Sequence, residues 1–226
     1  MTETTASHPP RRQRRDAAEN RAGILAAASH TLAADPHASV DQIARAAGLS
    51  RRALYGHFDD RSALVNALIA SGAQRFNAIA AAVRDTDSRL ALARLTAALW
   101  REAAHVQVAA AIALDEAHVE ATATALAPLR RTLADIVRRG QDADELRQDI
   151  APPTLARMIE ETARMVVART DGSSPAATDL AVRTVLSIAG LAWREIDALL
   201  AAHPDLVAAD TLSSAEATTS AGEVHA

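Results

Sequence analysis

The sequence contains no cysteine and no lysine, and it has very few aromatic residues. The absence of cysteine excludes disulfides and thiolate metal sites, and it is consistent with a cytoplasmic protein. Aromatic residues make up only 2% of the chain, whereas alanine is abundant. Because alanine favours helices and aromatic residues favour strands, the composition predicts an all-α fold.

Other features are missing as well. No apolar run reaches the roughly 18 residues that indicate a membrane span, and the N-terminus lacks the apolar core of a signal sequence. We therefore expect a cytoplasmic protein that does not bind a membrane. The catalytic and nucleotide-binding patterns GxSxG, HExxH, GxGxxG and the P-loop are absent, and the eight histidines are scattered. The sequence predicts neither an enzyme nor a cofactor.

The net charge of −4 is unevenly distributed along the chain. Residues 1–61 contain nine arginines and seven acidic residues, a net charge of +2, and residues 62–226 contain fifteen arginines and 21 acidic residues, a net charge of −6. An acidic remainder limits nonspecific adhesion to nucleic acid. The basic end is therefore the candidate for contact with an anionic partner.

Residues 39–64 read SVDQIARAAGLSRRALYGHFDDRSAL and predict two short helices joined by a tight turn. An apolar stripe at i, i+3, i+4 and i+7 begins at Val40 and predicts the first helix. Ser39 can cap its free N–H groups, and Gly48 can end it with a positive φ. Ser50 then caps the second helix, whose Leu54 and Phe58 point inward. The two helices and the turn between them form a helix-turn-helix.

The outward face of this second helix is basic and rich in hydrogen-bonding groups. In this motif the second helix enters the major groove, with its first turn near base edges. Arg51 and Arg52 can each donate two hydrogen bonds to guanine O6 and N7, and Ala53 can contact a thymine methyl group. The alternative interpretation is a solvated polar face with no binding role.

The motif IAxAAGLS, followed by LYxHF and a basic residue at Arg61, resembles the DNA-binding domain of the TetR (tetracycline repressor) family. The resemblance extends back to a helix over 20–34 that contains ILAAA, with Ile24, Leu25, Ala28 and Leu32 inward. The link 35–38 is shorter than in many members. The resemblance implies that Tyr55 and His57 contact phosphate, and that Ser39 and Arg61 hold the DNA backbone on either side.

We predict a disordered basic arm over 1–18, a helix-turn-helix domain over 19–64, a helical ligand-binding and dimerisation domain over 65–203, and a disordered tail over 204–226. A long helix over about 61–84 would connect the two domains. Members of the family usually enclose a small-molecule pocket among the middle helices. By position in the resemblance, the candidate lining residues are Phe76, Trp100, His105 and Met158.

The scarcity of aromatic and charged residues favours an apolar effector, if there is one. His105, Asp115, Glu116 and His118 do not have the spacing of a metal site, and a solvated helix face explains them better. We predict no bound metal.

A last helix over about 176–202 carries apolar residues at alternating steps of four and three, which is typical of a coiled-coil seam. The family resemblance implies that the last two long helices pair with those of a second copy in a four-helix bundle. The predicted dimer residues are Val182, Leu186, Ala189, Trp193 and Ile196. The alternative is that they pack only within one subunit.

The sequence thus predicts a homodimeric, ligand-responsive repressor that binds a palindromic operator in double-stranded DNA. One alternative is an activator, or a regulator without a small ligand. Another is a helical binding protein whose helix-turn-helix does not read DNA.

Overall fold

A computed structural model describes residues 11–35, 37–105, 118–169 and 175–207. Every regular element in these ranges is a helix, which confirms the predicted all-α fold. The α-helices are α1 Arg11–Ala34, α2 Val40–Ala46, α3 Arg51–Tyr55, α4 Arg61–Ala82, α5 Ser88–His105, α6 Val119–Ala125, α7 Ala127–Asp142, α8 Pro152–Arg169, α9 Pro175–Ile188 and α10 Trp193–Ala202. A short 3-10 helix, Pro204–Leu206, follows α10.

The chain forms two compact units. Among the described residues, the first contains those up to 74 together with 118–125, and the second contains those in 75–105 and 126–207. None of the helices in the described ranges is long and apolar enough to cross a membrane.

Helix α1 begins at Arg11, well before the predicted start at Asn20. The part of the predicted disordered arm that the structure describes is therefore helical, which corrects that prediction. The reason is local: residues 11–21 are mostly arginine, alanine, glutamate and glutamine, all good helix formers, and no proline or glycine follows Pro10 in that stretch. Residues 1–10 lie outside the described ranges.

The first unit is held together by the apolar faces of its helices. The four α1 residues predicted to point inward, Ile24, Leu25, Ala28 and Leu32, are all buried, and α1 packs against α2. The buried residues of α2 to α4 include Ile43, Ala44, Leu54, Phe58, Leu64, Val65 and Leu68. This core fixes the two helices of the helix-turn-helix on α1.

The core of the second unit lies among α5, α7, α8, α9 and α10. Its fully buried side chains include Leu92, Leu95, Ile136, Leu155 and Leu186. The 3-10 helix also belongs to this core, because Leu206 is only 2% exposed. Arg101 of α5 donates hydrogen bonds to the backbone oxygens of Asp205 and Leu206. Residues 204–207, the described part of the predicted disordered tail, are therefore packed in the second unit, and residues 208–226 lie outside the described ranges.

The predicted continuous helix over 176–202 is wrong, because the chain turns between α9 and α10. Gly190 has φ +108°, a conformation that ends the helix and that L-residues with a side chain rarely adopt. The N–H groups of Gly190 and Leu191 donate to the carbonyls of Ser187 and Leu186, which is a Schellman cap. The apolar period continues across the turn, and for that reason the pattern alone could not show the break.

A similar cap ends α7. Asp144 has φ +58°, a left-handed conformation that aspartate tolerates better than most residues with a side chain. The loop that follows is tied to the core by the buried Gln141, whose side-chain amide donates to the backbone oxygens of Arg147 and Ile150. Arg147 N–H donates in turn to the carbonyl of Ala189 at 2.9 Å, next to the turn at Gly190.

Asp87→Ala is expected to destabilise the second unit by about 1 kcal/mol at neutral pH, which is typical for the loss of an N-cap. Asp87 Oδ1 accepts hydrogen bonds from the N–H groups of Arg89 (2.9 Å) and Leu90 (3.2 Å) at the start of α5. Hydrogen bonds from the Arg89 guanidinium, followed by those backbone bonds, lower the pKa of this carboxyl below 3.8. The ionised form is therefore favoured in the folded protein.

The stabilisation is fully present above the unfolded pKa and is lost as the pH falls through the lower folded pKa. Urea unfolding of wild type and Asp87→Ala, followed by circular dichroism between about pH 7 and about pH 2, checks this. The difference in unfolding free energy should shrink toward the acid end. A difference that grows with acidity would contradict the assignment.

Candidate nucleic-acid interface

Helix α2 starts from a capping box. The Ser39 hydroxyl accepts a hydrogen bond from Gln42 N–H (3.3 Å), and the Gln42 side-chain oxygen accepts one from Ser39 N–H (2.7 Å). Two otherwise unpaired donors are satisfied reciprocally, which confirms Ser39 as the predicted cap. The cap fixes where α2 begins and leaves Ser39 exposed at the surface.

The turn between α2 and α3 depends on Gly48, whose φ of +69° confirms the predicted helix end. Gly48 N–H donates to the Arg45 carbonyl and Leu49 N–H to the Ala44 carbonyl, so the turn is a Schellman cap. Ser50 Oγ then accepts a hydrogen bond from Ala53 N–H at 3.2 Å and caps α3. These local bonds set the orientation in which α3 leaves α2.

Helix α3 has a buried face and an exposed face. Leu54 and Phe58 are 1% and 4% exposed and anchor the helix and the turn after it in the core of the first unit. The residues predicted to contact DNA on the other face are all exposed, and they are Arg51, Arg52, Ala53, Tyr55 and His57. Ser39 and Arg61 are also exposed, at the first residue before α2 and the first residue of α4. The structure therefore leaves every predicted DNA-contact residue accessible.

The arginine at the start of α3 is held by two side chains. Arg51 Nη1 lies 3.2 Å from Asp41 Oδ2 on α2, and the Arg51 guanidinium carbon lies 5.5 Å from the centroid of the Tyr55 ring. A hydrogen bond with Tyr55 and the charge of Asp41 raise the pKa of Arg51 above its ordinary value. The ion pair with Asp41 and the contact with the Tyr55 ring together restrain the Arg51 guanidinium.

Sequence reasoning missed Asp41, and it also missed Arg21. The guanidinium carbon of Arg21 on α1 lies 4.9 Å from the centroid of the Phe58 ring, a cation–π contact on the buried anchor of α3. The pairs lie 10 and 37 residues apart in sequence, so no helical spacing rule could have indicated them. Only the relative placement of the helices in the first unit brings them together.

The residues predicted to line a ligand pocket occupy different environments in the second unit. Trp100 is 6% exposed and packs in a cluster with Val166, Ala177 and Ala181. Phe76 is half-buried, whereas Met158 is 37% exposed and lies outside that cluster. The side chain of His105 lies outside the described part of the chain, as do Asp115 and Glu116.

Four of the predicted dimer residues lie inside the core of a single chain. Val182, Leu186, Ala189 and Ile196 are at most 1% exposed and pack in the core of the second unit. This corrects the prediction, because side chains that are already buried within one subunit are not available to a second one. Trp193 alone of the predicted set is exposed, at 65%, with Arg194 stacked 4.7 Å from its ring centroid.

Comparison with known protein families gives a match within the first unit. Residues 24–68 match the family model described as bacterial regulatory proteins, tetR family. No curated protein matches the chain.

Among solved structures, the chain is similar to the TetR family transcriptional regulator PfmR from Thermus thermophilus, with 20% identity, a TM-score of 0.64, and coverage of 74% of this chain and 96% of that one. It is similar to the fatty acid degradation regulator FadR from Bacillus halodurans, with 20% identity, a TM-score of 0.65, and coverage of 76% and 95%. It is also similar to FadR from Bacillus subtilis in complex with stearoyl-CoA, with 15% identity, a TM-score of 0.64, and coverage of 74% and 97%. Residues 24–68 therefore match the family's helix-turn-helix region, and the chain shares the fold of these solved regulators.

Proposed function

We propose that the protein is a ligand-responsive, homodimeric repressor that binds a palindromic operator. The observation that carries this proposal is the exposed face of α3, where two arginines, a tyrosine and a histidine stand over a buried Leu54 and Phe58. A short helix anchored on one face and basic on the other suits the major groove of DNA. Repression is the simplest outcome when such a protein occupies a site that overlaps a promoter.

In this proposal the exposed residues of α3 and of the segments beside it have different roles. Arg51 and Arg52 read guanine through O6 and N7, and Ala53 contacts a thymine methyl group. Tyr55 and His57 bind phosphate oxygens, and Ser39 and Arg61 hold the backbone on either side. Gly56 contributes no side chain, so its neighbours supply the contacts at that position.

One helix-turn-helix reads only a half-site, so specific binding calls for two copies related by a two-fold axis. Half-sites would then lie about one helical turn, ~34 Å, or a multiple of it apart. The large exposed apolar residues in the described part of the second unit support this dimer, because each of them lies on α8, α9 or α10. They are Met158, Met165, Leu180 and Trp193. These side chains replace the buried ones as the proposed contact with the second copy.

The effector proposed is an apolar small molecule bound in the second unit. Helix α4 runs from Arg61, directly after the helix-turn-helix, to Ala82, which belongs to the second unit. A ligand that binds better to a conformation with a displaced α4 would lower the population that fits the operator, in proportion to its differential affinity. Stearoyl-CoA, which the solved Bacillus subtilis FadR holds, is the first probe.

Selection from a random-sequence duplex pool tests the proposal. The purified protein is expected to enrich a palindrome, to bind it as a dimer in sedimentation, and to lose affinity steeply as salt rises. Stearoyl-CoA, whose acyl chain is apolar and whose coenzyme A part is anionic, and a panel of uncharged apolar ligands are then titrated against the protein–operator complex. Enrichment of no sequence would point instead to a helical binding protein that does not read DNA. If the protein enriches a palindrome but no ligand releases it from that DNA, the protein is a DNA-binding regulator that responds to no ligand in the panel.

A further inference from the structure

Asp41 lies at the second position of α2, and the described contacts place it against the DNA-reading face of α3. Its Oδ2 accepts from Arg51 Nη1 at 3.2 Å, across the turn that Gly48 makes. Both side chains remain open to solvent, at 48% for Asp41 and 63% for Arg51. The pair is therefore formed at the surface, where DNA can reach the arginine without displacing the protein core.

Stability does not explain this ion pair, because exposed ion pairs contribute little to folding. The other Asp41 oxygen, Oδ1, is buried and has no hydrogen-bond partner among the described residues. With Oδ1 buried, the carboxylate presents its other oxygen, Oδ2, to Arg51. This acceptor on α2 restrains where the Arg51 guanidinium points.

Arg51 is restrained further by Tyr55, one helical turn along α3, whose ring lies beneath the guanidinium. Arg52 differs, since its guanidinium forms no ion pair or hydrogen bond within the residues that the structure describes. A guanidinium group that is already oriented loses less conformational freedom when it binds a base edge. The bond to Asp41 uses one of the several N–H donors of the guanidinium and leaves others for a base.

A carboxylate beside a DNA-reading helix also has a cost, because it repels the phosphate backbone. That repulsion acts on every DNA sequence alike, whereas the orientation of Arg51 helps only where a guanine is correctly placed. The repulsion therefore lowers the affinity for every duplex without changing the ratio between duplexes, and only the orientation of Arg51 improves discrimination at one base pair.

We propose that Asp41 is a specificity-determining positioning residue, which holds Arg51 for readout of one base pair and, through its charge, weakens binding to every duplex. The inference rests on the proposed function, in which α3 reads the operator. Arg51 contacts the base, and Asp41 acts through Arg51.

Asp41→Asn tests the proposal on the enriched duplex and on duplexes changed at the base pair that Arg51 reads. That base pair is the position at which Arg51→Ala loses its preference. The ratio of the affinity for the enriched duplex to the affinity for the changed duplex is expected to fall about tenfold in Asp41→Asn. This is the order of discrimination that one arginine–guanine contact supplies. Affinity for an unrelated duplex should rise several-fold at low salt, since one repulsive charge is removed.

Asp59→Asn is the matched control. Asp59 is exposed in the loop between α3 and α4 and carries the same charge, but it forms no bond with Arg51. The control variant should strengthen binding to all duplexes without changing the ratio. In an Arg51→Ala background, Asp41→Asn should leave the ratio unaltered, because the residue through which Asp41 acts is gone.

Asp41→Glu keeps the carboxylate and should retain most of the discrimination, and it serves as the test if Asp41→Asn folds poorly. A role confined to the N-terminus of α2 would appear as a lower melting temperature with an unchanged affinity ratio, and that result would overturn the proposal. If the wild type itself enriches no sequence, the proposed function fails. If the wild type enriches a site and Asp41→Asn discriminates equally well, only the role of Asp41 fails.

Discussion

Replacing Arg51 and Arg52 together by alanine is expected to lower affinity for the enriched duplex by about 10²–10⁴-fold, since each arginine–guanine contact contributes roughly 1–3 kcal/mol. Both side chains are exposed, and neither belongs to the core of the first unit. The melting temperature should therefore change little. Affinity for an unrelated duplex should fall far less, because phosphate contacts from other residues remain.

Fluorescence anisotropy with labelled duplexes at two salt concentrations measures this effect. Arg131→Ala/Arg139→Ala is a matched control, because it removes the same two charges from exposed positions of α7 in the second unit. The control should leave both affinities within about twofold of wild type, since none of the residues proposed to contact DNA lies on α7. Equal loss on the enriched and the unrelated duplex would show that α3 supplies charge alone and reads no base.

Local rules explain why the helix-turn-helix could be predicted from the sequence. Ser39 and Ser50 cap the helices that follow them, and Gly48 takes the positive φ that ends α2. Each of these devices acts within a few residues of its own position. The exposed and buried faces of α3 followed from helical spacing in the same way, because Leu54 and Phe58 stand one turn apart.

The parts that could not be predicted depend on residues far apart in sequence. The Asp41–Arg51 ion pair is determined by the direction of the turn between two helices, which residue spacing does not encode. The prediction of the dimer residues was wrong for a related reason. An apolar row that includes Val182 and Leu186 has the same sequence pattern whether it packs within its own subunit or against a second one. Only the packing of α9 in the core of the second unit separates the two cases.

Gly190→Ala is expected to destabilise the second unit by about 3 kcal/mol or more, through backbone strain and a steric clash combined. At φ +108° a side chain is already unfavourable. A Cβ on residue 190 would also lie 2.6 Å from Arg147 Cβ and 3.1 Å from Arg147 N. Since Arg147 N–H bonds to Ala189 and the loop is fixed through Gln141, neither partner can move without losing hydrogen bonds.

Gly48→Ala separates the two causes. Gly48 occupies the same position of a Schellman cap, but its φ is +69° and a Cβ there would meet nothing within 4 Å. This variant should lose only the conformational term, about 1–2 kcal/mol. Urea unfolding, followed by circular dichroism, gives both values, and Gly190→Ala should show the larger loss. Equal losses would mean that the loop at Arg147 yields to the added methyl group, and that the turn between α9 and α10 depends on glycine only for its φ.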